Sequence, residues 1–302
     1  MFKEFLEKRK NQEKAHSENT KRSDSLFTKS LITVEINKTE LFNRKCVFCT
    51  RVDPKIYPNR NLHIEISTIN KIAKDLKKNN FKGRVSFSGF GEPLLHKNFK
   101  LILSTMRSYL PHNNLETNTN GDKLTPSLIK ELFSSGLSNM YINCYDNYDQ
   151  VDFFEKMVNE SGIDKSFFFI RPHWEDYHKN FGLFLNNRSG MIMVDDNEYL
   201  KPLNEPYKKK CFYPFYKLLI DYNGDALFCS NDWGRKIIVG NVIKEDIKDI
   251  WLSEKLNKIR KKLANLDRSH SPCNTCSIDG ELHGQKSFDY LNDSFHFEYV
   301  EK

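Results

Sequence analysis

The feature that most constrains the fold is an alternation that begins at Leu31. Apolar, β-rich runs at Leu31 to Ile36, Arg84 to Ser88, Asn114 to Thr117, Asn139 to Tyr145 and Ser166 to Ile170 are separated by helical patterns. Ile66, Ile69, Ile72, Ala73 and Leu76 fall on one helical face, and similar stripes run through Phe99 to Leu110 and Leu128 to Phe133, with a shorter one over Val151 to Val158. Strands and helices alternating at these lengths build βαβ units and a parallel sheet, with ligand sites gathered beyond the carboxyl ends of the strands. Periodicity leaves open whether that sheet is flat or curled.

Each strand end carries a motif. After the first comes Leu41-Phe42-Asn43-Arg44-Lys45-Cys46-Val47-Phe48-Cys49-Thr50. Two thiols three residues apart in a loop can reach one metal centre, because thiolates are soft ligands for zinc or iron-sulfur clusters, but the same spacing also suits a thioredoxin-like redox pair. Gly89-Phe90-Gly91-Glu92-Pro93 follows the second strand. Its glycines let the backbone turn sharply and approach a ligand, and Glu92 offers a carboxylate for an ammonium group; an ordinary turn with Glu92 in the first turn of a helix is the plain alternative. Thr117-Asn118-Thr119-Asn120-Gly121 ends the third strand and reads locally as a polar turn.

After about Ser189 the pattern changes. Tyr216 to Asp221 and Asp225 to Cys229 flank Tyr222-Asn223-Gly224, a hairpin signal. Ile247, Ile250, Trp251, Leu256, Ile259, Leu263 and Leu266 then mark one amphipathic helix leading to Pro272-Cys273-Asn274-Thr275-Cys276. On spacing alone, Cys211, Cys229, Cys273 and Cys276 suit either a tetrahedral zinc or an iron-sulfur cluster. The expected organisation is a flexible charged arm over 1–30 with at most a short helix near Phe2 to Arg9, one unit over 31–190, and a smaller one over 191–302.

From about Thr33 to Gly280 the chain resembles radical SAM enzymes of the SPASM/Twitch type. The resemblance implies an α/β fold: a partial (β/α)6 TIM-like barrel with a small C-terminal α+β SPASM/Twitch domain. In that family a CxxxCxxC trio holds a [4Fe-4S] cluster whose fourth iron takes the amino and carboxylate groups of S-adenosylmethionine. Cys46 and Cys49 match the second and third cysteines, while the first position is Phe42, whose phenyl ring has no lone pair for iron. By the same resemblance Gly89, Gly91 and Glu92 form the glycine-glutamate motif at the amino group of S-adenosylmethionine. Asn118 and Asn120 contact its ribose and methionine parts, and Phe48 packs on adenine. Cys211, Cys229, Cys273 and Cys276 match the ligands of one auxiliary [4Fe-4S] cluster, which moves single electrons.

Other residues at strand ends carry open readings. Cys144 is either a replacement ligand or a buried inert thiol. Arg171 and the segment Asn186-Asn187-Arg188-Ser189-Gly190 present guanidiniums for a carboxylate or phosphate, or for surface pairing. His96, His173 and Asp221 are either proton acceptors or ordinary hydrogen-bonded side chains.

Composition sets the outer limits. With 38% hydrophobic, 29% charged and 13% aromatic residues, the chain is globular rather than mostly disordered. A net charge of +7 with interspersed signs does not imply nucleic acid binding. No apolar run approaches the roughly 18 residues of a membrane helix, and Met1 to Ser30 lacks a secretory signal pattern. Seven cysteines, six at ligand-like spacings, point to a reducing cytoplasm. The resemblance implies an enzyme that abstracts hydrogen from a small polar substrate such as a sugar or aminocyclitol, served by a flavodoxin or ferredoxin. A peptide-modifying maturase, or a degenerate binding module that has lost cofactor cleavage, are the alternatives.

Overall fold

The chain opens with helix α1 (Phe2–Asn19) and a short α2 (Leu26–Ser30), then alternates as its pattern predicts. β1 (Thr33–Ile36) is followed by α3 (Ile66–Lys78), β2 (Arg84–Phe87), α4 (Phe99–Tyr109), β3 (Leu115–Thr119), α5 (Pro126–Ser134), β4 (Asn139–Cys144), α6 (Tyr148–Ser161) and β5 (Phe168–Pro172). The computed structural model describes residues 2–46, 49–55, 57–173, 186–192 and 203–298. Phe48, expected against adenine, lies outside the described residues.

Local chemistry explains the element boundaries. Thr125 caps α5 through a hydrogen bond from the Leu128 amide, with Pro126 in the first turn. Asn147 caps α6, which ends at Gly162 in the left-handed conformation (φ 68°).

Strands β1 to β5 are mutually parallel, neighbour to neighbour. Their alternate residues divide cleanly by face. Val34, Ile36, Val85, Phe87, Leu115, Met140 and Ile142 pack into the core under the helices. Thr33, Glu35, Arg84, Ser86, Asn118 and Arg171 face a common cavity on the other side. Residues from β1, β2, β3 and β5 lining one cavity require the sheet to curl around it.

The hairpin expected in the small C-terminal unit also continues this sheet. β6 (Lys217–Ile220) runs parallel to β1 in the register Thr33↔Lys217 to Ile36↔Ile220. β7 (Asp225–Leu227) and β8 (Ile238–Asn241) follow antiparallel, giving the order β5-β4-β3-β2-β1-β6-β7-β8. The physical reason is the edge of β1, whose backbone groups are satisfied by a sixth parallel strand. The amphipathic stretch expected as one helix is two: α8 (Ile247–Trp251), after the single turn α7 (Tyr213–Tyr216), and α9 (Glu254–Ala264). The break falls at Ser253, whose hydroxyl caps α9 by accepting from the Leu256 amide. α10 (Gln285–Phe295) closes the described chain.

The first thirty residues also differ from the expected solvated arm. Arg9 on α1 reaches Glu116 at 3.1 Å and stacks 5.0 Å from the Tyr141 ring centroid. Glu116 is fully buried near the amino end of β3 and pairs with Arg84 as well. A buried carboxylate requires such partners, and Arg9 supplies one from outside the sheet. Helix α1 is thereby held across the floor of the barrel.

Candidate active site at the barrel mouth

At the carboxyl ends of the strands a cavity of about 270 Å³ is lined by Phe42, Cys46, Cys49, Gly89, Gly91, Glu92, Asn118 and Asn120, together with Tyr145 and His173. The described residues expected at the front cluster and at S-adenosylmethionine therefore converge. Gly89 has φ +128°, and a β-carbon on Gly91 would lie 1.9 Å from the Thr39 carbonyl oxygen. Both positions need glycine for this close approach. The intervening backbone is pinned by Asn37, whose Oδ1 accepts from the Phe90 and Gly91 amides at 2.9 and 3.0 Å.

Glu92 lines the mouth cavity and is also bound to its protein neighbours. Its carboxylate accepts from the Thr119 hydroxyl at 2.6 Å, the Asn120 amide at 2.9 Å and the Leu94 amide at 3.0 Å. It thus fastens β3's end to the glycine loop, and burial raises its pKa despite those donors. Asn120 acts similarly, with its amide donating to Asn43 Oδ1 at 2.8 Å. Asn118 Oδ1 accepts from Arg171 at 2.8 Å.

The loop carrying Cys46 is tied over the mouth by Arg44, which pairs with Asp122 at 2.6 Å and Asp146 at 2.8 Å. Burial, with Cys49 nearby, pushes the Cys46 thiol up to about 12. Phe42 holds the remaining ligand position, its backbone clamped by the Asn59 side chain through two 2.9 Å hydrogen bonds. Cys144 is not a substitute. It lies on the helix-facing side of β4 in the hydrophobic core, whereas its neighbours Asn143 and Tyr145 line the mouth. The front cage is therefore one thiolate short of the family's trio.

Cys211, Cys229, Cys273 and Cys276 are each less than a tenth exposed. Burial drives Cys211 up to about 11, and drives Cys229 and Cys273 up as well, with their fellow thiols adding to the effect. Four buried sulfurs that repel one another as thiolates call for a cationic centre. The Asn231 amide donates to Cys229 Sγ at 3.4 Å, the kind of bond that tunes a cluster's potential. Buried Arg268 joins the two cysteine-bearing segments by donating to the carbonyls of Lys209, Lys210, Ile278 and Asp279. A β-carbon on Gly280 would come 2.8 Å from Cys211 Sγ. In residue type this donor set fits an all-cysteine cluster, whose four sulfurs would each bind a different iron and need not converge on one point as for a single ion. Among the described residues no three His, Cys, Asp or Glu side chains are placed to hold a metal ion.

Below the mouth lies a deeper cavity of about 380 Å³ inside the barrel, which the sequence reading missed. Lys217 and Glu35, on neighbouring strands, pair on its wall at 2.9 Å, and Ser230, Asn231 and Trp233 bring the second unit to it. Arg171 and His173 line it, both meeting Asn143 Oδ1, at 2.5 and 3.0 Å. His96 and Asp221 do not line either cavity. His96 is held between the Asn98 amide and the Ile64 carbonyl, with burial lowering it to about 4, and Asp221 pairs with Arg235 and Asn37 in the loop support. Arg188 stands between the two cavities on a turn with φ 47°.

The fold and the two sulfur cages define a class. A family model described as the radical SAM superfamily matches residues 38–165, and one described as the SPASM iron-sulfur cluster-binding domain matches residues 211–277. The chain carries a radical SAM domain and a C-terminal SPASM domain, and is an enzyme. Among particular proteins it is similar to the S-adenosyl-L-methionine-dependent 2-deoxy-scyllo-inosamine dehydrogenase of Niallia circulans, with 28% identity over 290 residues, 89% of this chain and 99% of that protein. The crystal structure of BtrN in complex with AdoMet and 2-DOIA shares the fold, with a TM-score of 0.66 at 23% identity over 86% of this chain and 99% of that one. Native anSMEcpe with bound AdoMet shares it at a TM-score of 0.53 and 11% identity, over 88% and 96%.

Proposed function

We propose that this chain oxidises a hydroxyl group of a small, polyhydroxylated, amine-bearing compound of the aminocyclitol kind, with S-adenosylmethionine at the barrel mouth. One observation carries the reading: the mouth and deep cavities share Gly89, Asn118, Arg171, His173, Arg188 and Trp233, so a substrate inside the barrel borders the cofactor position. The aminocyclitol dehydrogenase relative supports the substrate class. The barrel unit over 31–190, the auxiliary unit over 191–302, a flavodoxin or ferredoxin donor and a cytoplasmic setting belong to the same proposal. Among the described residues no helix is long and apolar enough to cross a membrane.

Converting a carbinol to a carbonyl removes a hydrogen atom from carbon, a proton from oxygen and one electron. Cys211, Cys229, Cys273 and Cys276 would hold the auxiliary cluster, which when bound supplies one-electron redox chemistry. Asn143 Oδ1 makes the Nε2 of His173 the donor, so its buried Nδ1, which has no partner among the described residues, is left as an acceptor. Burial with Arg171 and Arg188 nearby holds His173 well below its usual value, and so neutral. Nδ1 is thus suited to accept a hydrogen bond from the substrate hydroxyl. Tyr57, Phe90 and Trp233 pack together beside Cys49 and keep water from the mouth.

The test uses 2-deoxy-scyllo-inosamine labelled with deuterium at the carbinol carbon. The proposal expects deuterium in 5′-deoxyadenosine and formation of the ketone; 5′-deoxyadenosine without either would sink the substrate assignment. Phe42 favours a second reading, a binding module that retains only the rear cluster.

A further inference from the structure

The floor of the deep cavity is built by α1, and among the described residues one of its acidic side chains has no lysine or arginine within pairing distance. Arg9, Gln12, Glu13 and His16 recur at i, i+3, i+4 and i+7, and so share the face that α1 turns to the barrel. Buried Glu116 is answered by Arg9 and Arg84, and within the cavity Glu35 is answered by Lys217. Glu13 lines the same cavity with its side chain 22% exposed. It takes the Gly284 amide, and among the described residues its nearest basic group is His283 Nδ1 at 3.9 Å. That imidazole is no cation: burial, with Arg9, Lys217 and Lys10 around it, lowers it to about 4. Burial in turn raises Glu13 to about 7, with Lys286 and Lys10 only partly offsetting it. The cavity also carries the guanidiniums of Arg171 and Arg188.

We propose that Glu13 receives the substrate's ammonium group at the cavity floor and so turns the reacting hydroxyl carbon toward the mouth. This rests on the function proposed above. An ammonium offers three N–H donors and the positive charge that Glu13 lacks, and a charge-assisted bond is strongest in such a partly dry site. A hydroxyl in the same place offers one donor and no charge. Glu13 is therefore assigned as the residue that selects amine over hydroxyl.

The test is calorimetric titration of the full chain, reconstituted anaerobically with S-adenosylmethionine, above neutral pH. The ligands are 2-deoxy-scyllo-inosamine and the cyclitol with a hydroxyl in place of its amine. Glu13→Gln keeps the shape and should weaken amine binding by about 10- to 100-fold, with little change for the hydroxyl analogue. Glu18→Gln, on the exposed side of the same helix, should leave both affinities unaltered. Equal losses for both ligands, or no loss for either, would overturn the role of Glu13 while the functional reading stands. Failure of the unsubstituted chain to bind either ligand would overturn the substrate class and this assignment with it.

Discussion

Gly91 shows how little room the mouth allows at the level of single atoms. An added methyl meets the Thr39 carbonyl oxygen, part of the backbone, so the loop itself must move. Gly91→Ala should destabilise the chain by about 1–3 kcal/mol, read as a lower urea midpoint at unchanged slope. Unchanged stability would mean that the loop is looser than this packing. The glycines were legible in the sequence because close backbone approach has a residue signature. So was the defect at Phe42, because a motif's spacing shows which ligand is missing. The working partners of Glu92 were not legible: Thr119 and Asn120 are far away in sequence and meet it only because β3 ends beside β2. Local reading offered a carboxylate for an ammonium, and the fold adds that the same carboxylate joins two loops.

The elements divide in the same way. Helical stripes and apolar runs located β1 to β5 and the helices between them, because burial under a helix layer needs apolar residues at fixed periods. The polar partners on the same strands, Glu35, Arg84, Ser86 and Glu116, were visible as alternation but gained meaning only once the sheet curled around a cavity. Helix α1 escaped because the stripe it buries is polar, so no hydrophobic period marks it. Its docking has a pH signature. Glu13 rises from its ordinary 4.5 to about 7 on folding, so the folded chain holds more protons between those values and stability falls as pH rises through that window. Glu13→Gln should flatten this part of the curve of melting temperature against pH. An identical curve for the variant would show that α1 does not bury Glu13.

At the scale of the whole molecule, one sheet joins the barrel to the auxiliary unit, since β6 completes β1's edge and leads directly to Cys229. The turn bearing Arg188 is sewn to the rear cage: Asn187 donates to the Thr275 carbonyl at 2.6 Å and accepts from the Ser277 amide at 3.0 Å. Cys273→Ala should therefore remove the rear cluster's iron and also weaken binding of ligands in the deep cavity. Retained binding at half the iron would show the two units to be independent. Sequence spacing showed two sets of cysteines but not that the hairpin of the rear set continues the barrel's sheet, because strand pairing across some 180 residues leaves no local trace. The central claim is that both cysteine sets would hold a cluster, the front one through Cys46 and Cys49 without a ligand from Phe42. It is tested most directly by counting iron after anaerobic reconstitution and assaying 5′-deoxyadenosine with a strong reductant, in the unsubstituted chain and in Phe42→Cys. The account predicts about eight irons per chain and cofactor cleavage in both proteins, with front-cluster iron lost to a chelator more slowly in Phe42→Cys. About four irons and no cleavage in the unsubstituted chain, with both restored by Phe42→Cys, would contradict it.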